Sequence, residues 1–389
     1  MGTGDNARER AYRDGADYFA DRAVGLLASV RDGTPTAVAW LRRWDAPATL
    51  EGARTAMARA HGFPSWAAML SPATPVVDPD DPFVQAFHAI ENRRPEVLGE
   101  LLAASPGLVS LRGTNGNHLL GIATAQGDPR SVGLLLAAGA DPGRGNVHGW
   151  APLHQAAYMG RPDLAGMLLA AGAPPAASAR GDGGTPLVMA LFWGHPVPPP
   201  VVEQVGVAPG NLRVAAGLGM IDLVRELDGT PAAGAGRGFY RPHGGFPAWR
   251  PSDDPAEVRD EAVAWAARSD QPDAIDALVA LGADPGRDVY RGTPLAWAAA
   301  LGRTGAVRRL LDLGVDPSGR TTFGGPDHGE GVTPLHLAAG DGQTGVIAAL
   351  LAAGADPAVR DLRHGGTPAD WARHAHQDDA EAMLESRAQ

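Results

Sequence analysis

Asp327, His328 and Glu330 stand together in the glycine-rich stretch SGRTTFGGPDHGEG (318–331). An imidazole titrates near neutrality, so histidine beside carboxylates suits general acid–base work; the plainer reading is a solvated loop tip. A second concentration lies in DGTPAAGAGRGFYRPHGGFPAWRPSDDP (228–255). There Phe239, Tyr240, Phe246 and Trp249 mix with Arg237, Arg241, His243 and Arg250 between prolines that restrict the backbone. Arginine beside aromatic rings suits a carboxylate, a phosphate or a planar ligand. The alternative is a packed loop that seals an irregular joint. Tyr290 and Arg291, in DVYRGTPL, fall between the two stretches.

Other chemistry is excluded or weakly signalled. The chain has no cysteine, which removes disulfides, thiolate metal sites and a cysteine nucleophile. It has no lysine either, so neither a P-loop nor a pyridoxal Schiff base is possible. Gly-Ala-Gly-Arg-Gly (234–238) lacks the strand, helix and spacing of a dinucleotide fingerprint, and no G-x-S-x-G elbow occurs. His374, His376 and Asp378 read as polar surface rather than as a metal site. The sequence points to no metal and no cofactor.

The elements that must position these residues are short and repeated. Glycine (52) and proline (34) recur at intervals instead of clustering, which is punctuation between similar units. GWAPLHQAAYMGRPDLAGMLLAAGAPP (149–175) returns as RGTPLAWAAALGRTGAVRRLLDLGVDP (291–317) and as GVTPLHLAAGDGQTGVIAALLAAGADP (331–357). The Pro of "TPL", or its equivalent, falls at 85, 119, 152, 186, 211, 262, 294, 334 and 368, with most steps 32 to 34 residues. Thr185, Thr293, Thr333 and Thr367 are placed to cap a first helix. Paired alanines allow close approach, a glycine ends that helix, and a Leu-Leu pair marks the core face of a second one. Gly-Ala-Asp then turns the chain out into a finger. The steps of 25, 51 and 40 residues mark a short unit and two insertions, 229–259 and 318–330.

The pattern G-x-T-P-L-H-x-A-A-x-x-G…L-L-x-x-G-A-D resembles the ankyrin repeat over roughly residues 83 to 388. The resemblance implies an all-α solenoid of about nine helix-turn-helix units with β-hairpin fingers and a concave surface of fingers and inner helices. It also implies that His154 and His336 of "TPLH" bind neighbouring backbone, and that the protein is an interaction module. Residues 1–76 read as a helical block that resembles the leader before ankyrin arrays in some bacterial proteins and caps the first repeat. The domain reading is therefore 1–76, repeats over 83–228, the inserted loop 229–259, and repeats over 260–389 carrying the finger insertion 318–330.

On such a scaffold the informative positions are the two residues before each helix-ending glycine. Tyr158, Met159, Phe192 and Trp193 are expected side by side on the groove, roofed by the 229–259 loop; the alternative is that the loop makes them local core. Trp265, Trp297 and Trp371 share one inner-helix position and read as stacking core rather than a binding ladder. The preferred function is a cytoplasmic binding module that holds a protein or peptide partner, or a small molecule. Its contact residues are Tyr158, Met159, Phe192, Trp193, Phe239, Tyr240, Arg241, His243, Phe246, Trp249, Tyr290 and Arg291. One alternative is an enzyme with an enclosed pocket under the loop, using Tyr240, His243, Asp327 and His328 as acid–base groups. Another is a purely structural or immunity-type scaffold. Net charge of −11 argues against nucleic acid. The charged N-terminus shows no secretory signal, and no apolar run is long enough to span a bilayer.

Overall fold

The computed structural model describes residues 16–31, 33, 35–60, 63–70, 80–113, 116–179, 183–195, 210–237, 251–323 and 331–386. They belong to two compact units. One takes in Met1–Ala190, His195–Val207 and Arg237–Gly244; the other takes in Leu191–Gly194, Ala208–Gly236 and Gly245–Gln389.

In the first unit, α1 (Ala16–Arg31), α2 (Pro35–Arg43), α3 (Leu50–Ala60) and α4 (Trp66–Met69) share their own core. Phe19, Leu26, Trp40, Leu41 and Met57 fill it, and Val147 joins from a finger further along the chain. Helix pairs follow: α5 (Pro82–Glu91) with α6 (Pro95–Ala104), α7 (Leu119–Ala125) with α8 (Pro129–Ala137), and α9 (Pro152–Tyr158) with α10 (Pro162–Ala170). The first helix of each pair packs on the first helix of the next, and second on second. Helix α11 (Pro186–Phe192) opens the next repeat, and its last two residues belong to the other unit.

The second unit continues with α12 (Leu212–Gly217) and α13 (Ile221–Leu227), α14 (Pro255–Arg268) and α15 (Pro272–Ala280), α16 (Pro294–Ala300) and α17 (Thr304–Asp312). Helices α18 (Pro334–Gly340) and α19 (Thr344–Ala352), then α20 (Pro368–His374) and α21 (Asp378–Glu385), complete it. Inner helices α12, α14, α16, α18 and α20 touch in that order, as a stack of neighbour-only contacts requires.

Short residues make this spacing possible. Ala266, Ala267, Ala298, Ala299, Ala338 and Ala339 are all fully buried between consecutive inner helices. Leu278, Leu310 and Leu350 supply the larger apolar volume from the outer row; a fully buried leucine stabilises by about 1.5–3 kcal/mol. Several pairs are opened by a side-chain cap, as when Thr293 Oγ1 accepts from the Ala296 N–H at 3.2 Å. Gly302 closes α16 with φ 68°, a left-handed turn, and a Cβ there would stand 2.3 Å from Gln343 Oε1 of the next repeat. The left-handed turn therefore favours glycine at that point, and any Cβ would make the end of the Gln343 side chain swing aside.

Two expectations need correction. The fingers are closed by turns rather than paired strands: among the described residues the only β pairing is an isolated antiparallel bridge between Thr321 and Val332. In addition, α14 begins at Pro255, inside the stretch assigned to the 229–259 insertion, because Asp254 caps it by accepting from the Ala256 N–H at 3.0 Å. The helix gains about two turns over its neighbours, and Glu261 and Asp260 become buried as a result.

Candidate functional site

In the second unit, arginines and aromatic rings gather around the inner helices. Arg268, the last residue of α14, is 2 % exposed. Its guanidinium lies 3.9 Å from the ring centre of Trp297, 4.5 Å from that of Phe192 and 5.7 Å from that of Trp265. Cation–π contacts of this kind are worth about 0.5–2 kcal/mol each when desolvated. Phe192 meets Trp193, Trp265 and Trp297 edge-on at 5.2, 6.0 and 5.8 Å between centroids. Phe323 meets Trp297 in the same manner at 4.8 Å. Each T-shaped pair sets one ring's positive edge against the other's negative face, and the guanidinium groups lie over ring faces.

Arg291 reaches the cluster from the finger between α15 and α16. Its guanidinium lies 5.5 Å from the centres of both Phe192 and Trp193 and 5.8 Å from that of Tyr290. Burial pushes the Tyr290 phenol above its usual value, although Arg291 and Arg268 both pull it down. Arg291 sits in the left-handed region at φ 62°, and Gly292 follows at φ 127°. Asp288 fixes this turn. Its carboxylate accepts from the Gly292 N–H at 3.0 Å, the Thr322 N–H at 3.1 Å and the Thr322 hydroxyl at 2.7 Å.

A further arginine holds the back of the cluster. Arg213 of α12 is 1 % exposed, stacks 4.7 Å from the centre of Trp265 and pairs with Glu261 at 3.1 Å. It also donates to the Gly236 carbonyl at 2.5 Å. Arg303 secures the end of α14 by donating to the Arg268 carbonyl at 3.0 Å.

The sequence-derived residues divide. Phe192 and Trp193 belong to the second unit; Tyr158 and Met159 belong to the first. Trp193 is half-buried, as are Tyr290 and Arg291. Phe192 departs from the groove-lining expectation. It is 1 % exposed, because Trp265, Trp297 and Arg268 close around it. In the first unit Tyr158 and Met159 are 40 % and 36 % exposed, and Trp150 meets Tyr158 edge-on at 6.0 Å. Phe239, Tyr240, Arg241, His243, Phe246 and Trp249 lie outside the described residues, as do Asp327, His328 and Glu330.

A concavity in the same unit, about 410 Å³, is lined by Asp284, Gly286, Thr293, Gly314, Asp316 and Arg320 among others. Its polar groups serve the fingers. Asp284 and Asp316 each accept a backbone N–H two residues on, at 2.9 Å, and Arg320 donates to the Gly331 carbonyl at 2.6 Å.

The "TPLH" histidines decide the family. His154 accepts from the Ala151 N–H at 3.1 Å and bonds the Ala177 and Gly184 carbonyls of the next finger at 2.9 and 3.1 Å. His336 repeats the arrangement with Thr333 at 3.2 Å and Gly366 at 3.0 Å. Two family models match where these boxes lie: Ankyrin repeats (many copies) over residues 153–203 and Ankyrin repeat over residues 330–362. The chain carries ankyrin repeats. Among curated proteins the sequence finds no match.

Against the ankyrin framework, the position of Arg268 is informative. The equivalent residue is Glu91, Ala125, Tyr158, Phe192, Gly217, Ala300, Gly340 or His374 in the other repeats, so a buried guanidinium there is not a framework requirement. Sequence reading missed Arg213, Glu261 and Phe323. Their one signal was the aromatic content of the segments they pack on.

Proposed function

We propose that this ankyrin-repeat protein is a binding module whose second unit holds a partner against the face built from Trp193, Tyr290, Arg291 and the rings beneath them. Ankyrin repeats are generally protein-interaction modules, which supports a binding role. The observation that carries the finer reading is the pair of guanidinium groups, Arg268 and Arg291, stacked on the same ring of Phe192 at 4.5 and 5.5 Å. Rigid aromatics with arginine are the residues that dominate binding energy where partners dock. The occupant is a protein segment or a small molecule. We also propose a cytoplasmic setting without nucleic-acid contact, because a net charge of −11 repels phosphate. No helix among the described residues is long and apolar enough to cross a membrane.

The test is capture of partners from the source cell's extract, with the wild type and a Trp193→Ala, Arg291→Ala double variant side by side, combined with mass spectrometry of the native protein. The expected result is a partner or small molecule recovered with the wild type and lost with the variant. Equal recovery of everything by both would remove this face as the binding site.

A further inference from the structure

In the first unit the N-terminal helices meet the fingers. A Cβ added at Gly25 of α1 would stand 3.6 Å from the His148 ring, and one added at Gly116 would stand 3.2 Å from Val147 and 3.7 Å from the Trp40 ring of α2. Val147 and His148 are 2 % and 4 % exposed at this contact. The same finger also reaches the inner helices: Trp150 donates its indole N–H to Gln155 at 2.9 Å and meets the exposed Tyr158 edge-on. Fingers and inner helices together form the surface that repeats of this kind offer to partners. We infer that helices α1 to α4 are a detachable cover on this finger, an internal occupant that a partner of the first unit must displace.

The block holds itself together without the repeats. Phe19, Leu26, Trp40, Leu41 and Met57 bury one another, and among the described residues Val147 is the one member of that core from outside residues 16–70. A core that takes in a single guest side chain keeps nearly all its buried apolar surface when the guest leaves, so the block can part from the finger as a folded body. The block side of the contact is also imperfectly satisfied. Ser29 lies one turn on from Gly25, on the same face of α1. It is 1 % exposed, and its hydroxyl has no hydrogen-bond partner among the described residues; the same holds for the indole N–H of Trp40, which is 4 % exposed. Buried polar groups without partners oppose the burial and are relieved when water reaches them. What Val147 gains by docking is therefore partly offset, as a separable contact requires. Holding the finger also fixes its turn, where the Asn146 side chain accepts from the His148 N–H at 2.9 Å and the Trp150 N–H at 3.1 Å. Departure of the block uncovers Val147 and His148 and loosens the finger that sets Trp150 against Tyr158.

The chain has no cysteine, so an engineered thiol reports on its own site alone. Val147→Cys and, as a reference in the repeat core, Ala156→Cys are each made in the full chain and treated with a maleimide under native conditions; Ala156 is 0 % exposed. The thiol at 147 is expected to react at least about tenfold faster than the one at 156, because it needs only the block to part and not the repeats to unfold. Equal rates would mean that both wait for global unfolding, and would overturn the inference. The second measurement is the distance between spin labels on Val24→Cys of α1 and Arg130→Cys of α8, both at exposed positions, with and without Val147→Asp. The aspartate is expected to lengthen and broaden that distance while hydrogen exchange in α8 and α10 stays as in the wild type. An unchanged distance, or protection lost in α8 and α10 together with the block, would show one cooperative structure with no separable cover. Neither measurement involves the second unit, so failure here leaves the face at Trp193 and Arg291 to its own test.

Discussion

Arg213 and Glu261, 48 residues apart, form an ion pair at 3.1 Å with side chains only 1 % and 4 % exposed. The pair joins α12 to α14 across the segment that carries the insertion, and Trp265 covers the guanidinium. Its partners are both withdrawn from water, so removing one leaves an uncompensated buried charge. Glu261→Ala is expected to destabilise the second unit by about 3–5 kcal/mol, measured by urea denaturation. The double replacement Arg213→Met, Glu261→Leu should recover most of that loss, since a well-packed apolar pair avoids the desolvation cost altogether. A loss below about 1 kcal/mol in the single variant would mean that water reaches the pair.

Gly302 separates two causes of glycine dependence. Its φ of 68° strains any residue with a side chain, and the Cβ would also strike Gln343 Oε1 at 2.3 Å. Gly302→Ala should cost about 1–3 kcal/mol. Gln343→Ala in the same chain should restore the steric part and leave the backbone part, giving a measurable coupling in a double-mutant cycle. No coupling would show that the stack has room to move.

His118 makes the first unit acid-sensitive. Burial foremost, then the charges of Arg144 and Arg112, lower its pKa from 6.5 to about 4, against the opposing pull of Asp141 and the Gly145 carbonyl. The folded state therefore takes up the proton later than the unfolded state as pH falls. The contribution is whole above pH 6.5 and is lost between 6.5 and about 4, amounting to about 3 kcal/mol. Denaturation of the wild type and His118→Asn at pH 7 and pH 4.5 checks this. The wild type should lose more stability over that range than the variant, and parallel losses would count against the buried neutral imidazole.

Much of this fold can be read from spacing. Helices α7, α9, α11, α16, α18 and α20 begin at 119, 152, 186, 294, 334 and 368, where the Pro of "TPL" or its equivalent stands, because caps and first-turn prolines act within four residues of chain. The early start of α14 follows the same local rule, since Asp254 and Pro255 are adjacent; periodicity alone pointed to the later, regular copy. Burial of Phe192 is different in kind. Its neighbours Arg268 and Trp297 lie 76 and 105 residues away in sequence, and no periodicity says which rings close on it. The Trp297 indole was legible as core, yet its unsatisfied N–H depends on the turn at Gly292 and the place of Phe323, which are three-dimensional facts. The same holds for the fingers, where turn residues announce reversal but not whether strands pair.

Asp288 makes the last separation, between holding the fold and holding a ligand. It takes no part in the inner-helix core, and all three of its bonds shorter than 3.2 Å go to the finger turns at Gly292 and Thr322. Those bonds keep Arg291 in its left-handed conformation with the guanidinium over Phe192 and Trp193. Asp288→Ala should leave the stack intact and cost only about 1–2 kcal/mol in global stability, as for a few partly exposed hydrogen bonds. Recognition should suffer more, because an arginine free to leave the rings must be ordered again on binding. The expected result is partner binding weakened about tenfold, equivalent to 1.4 kcal/mol, while Asp316→Ala, which breaks a comparable turn at another finger, leaves it unchanged. Equal weakening by the two variants would mean that finger order in general, and not the placement of Arg291, governs binding.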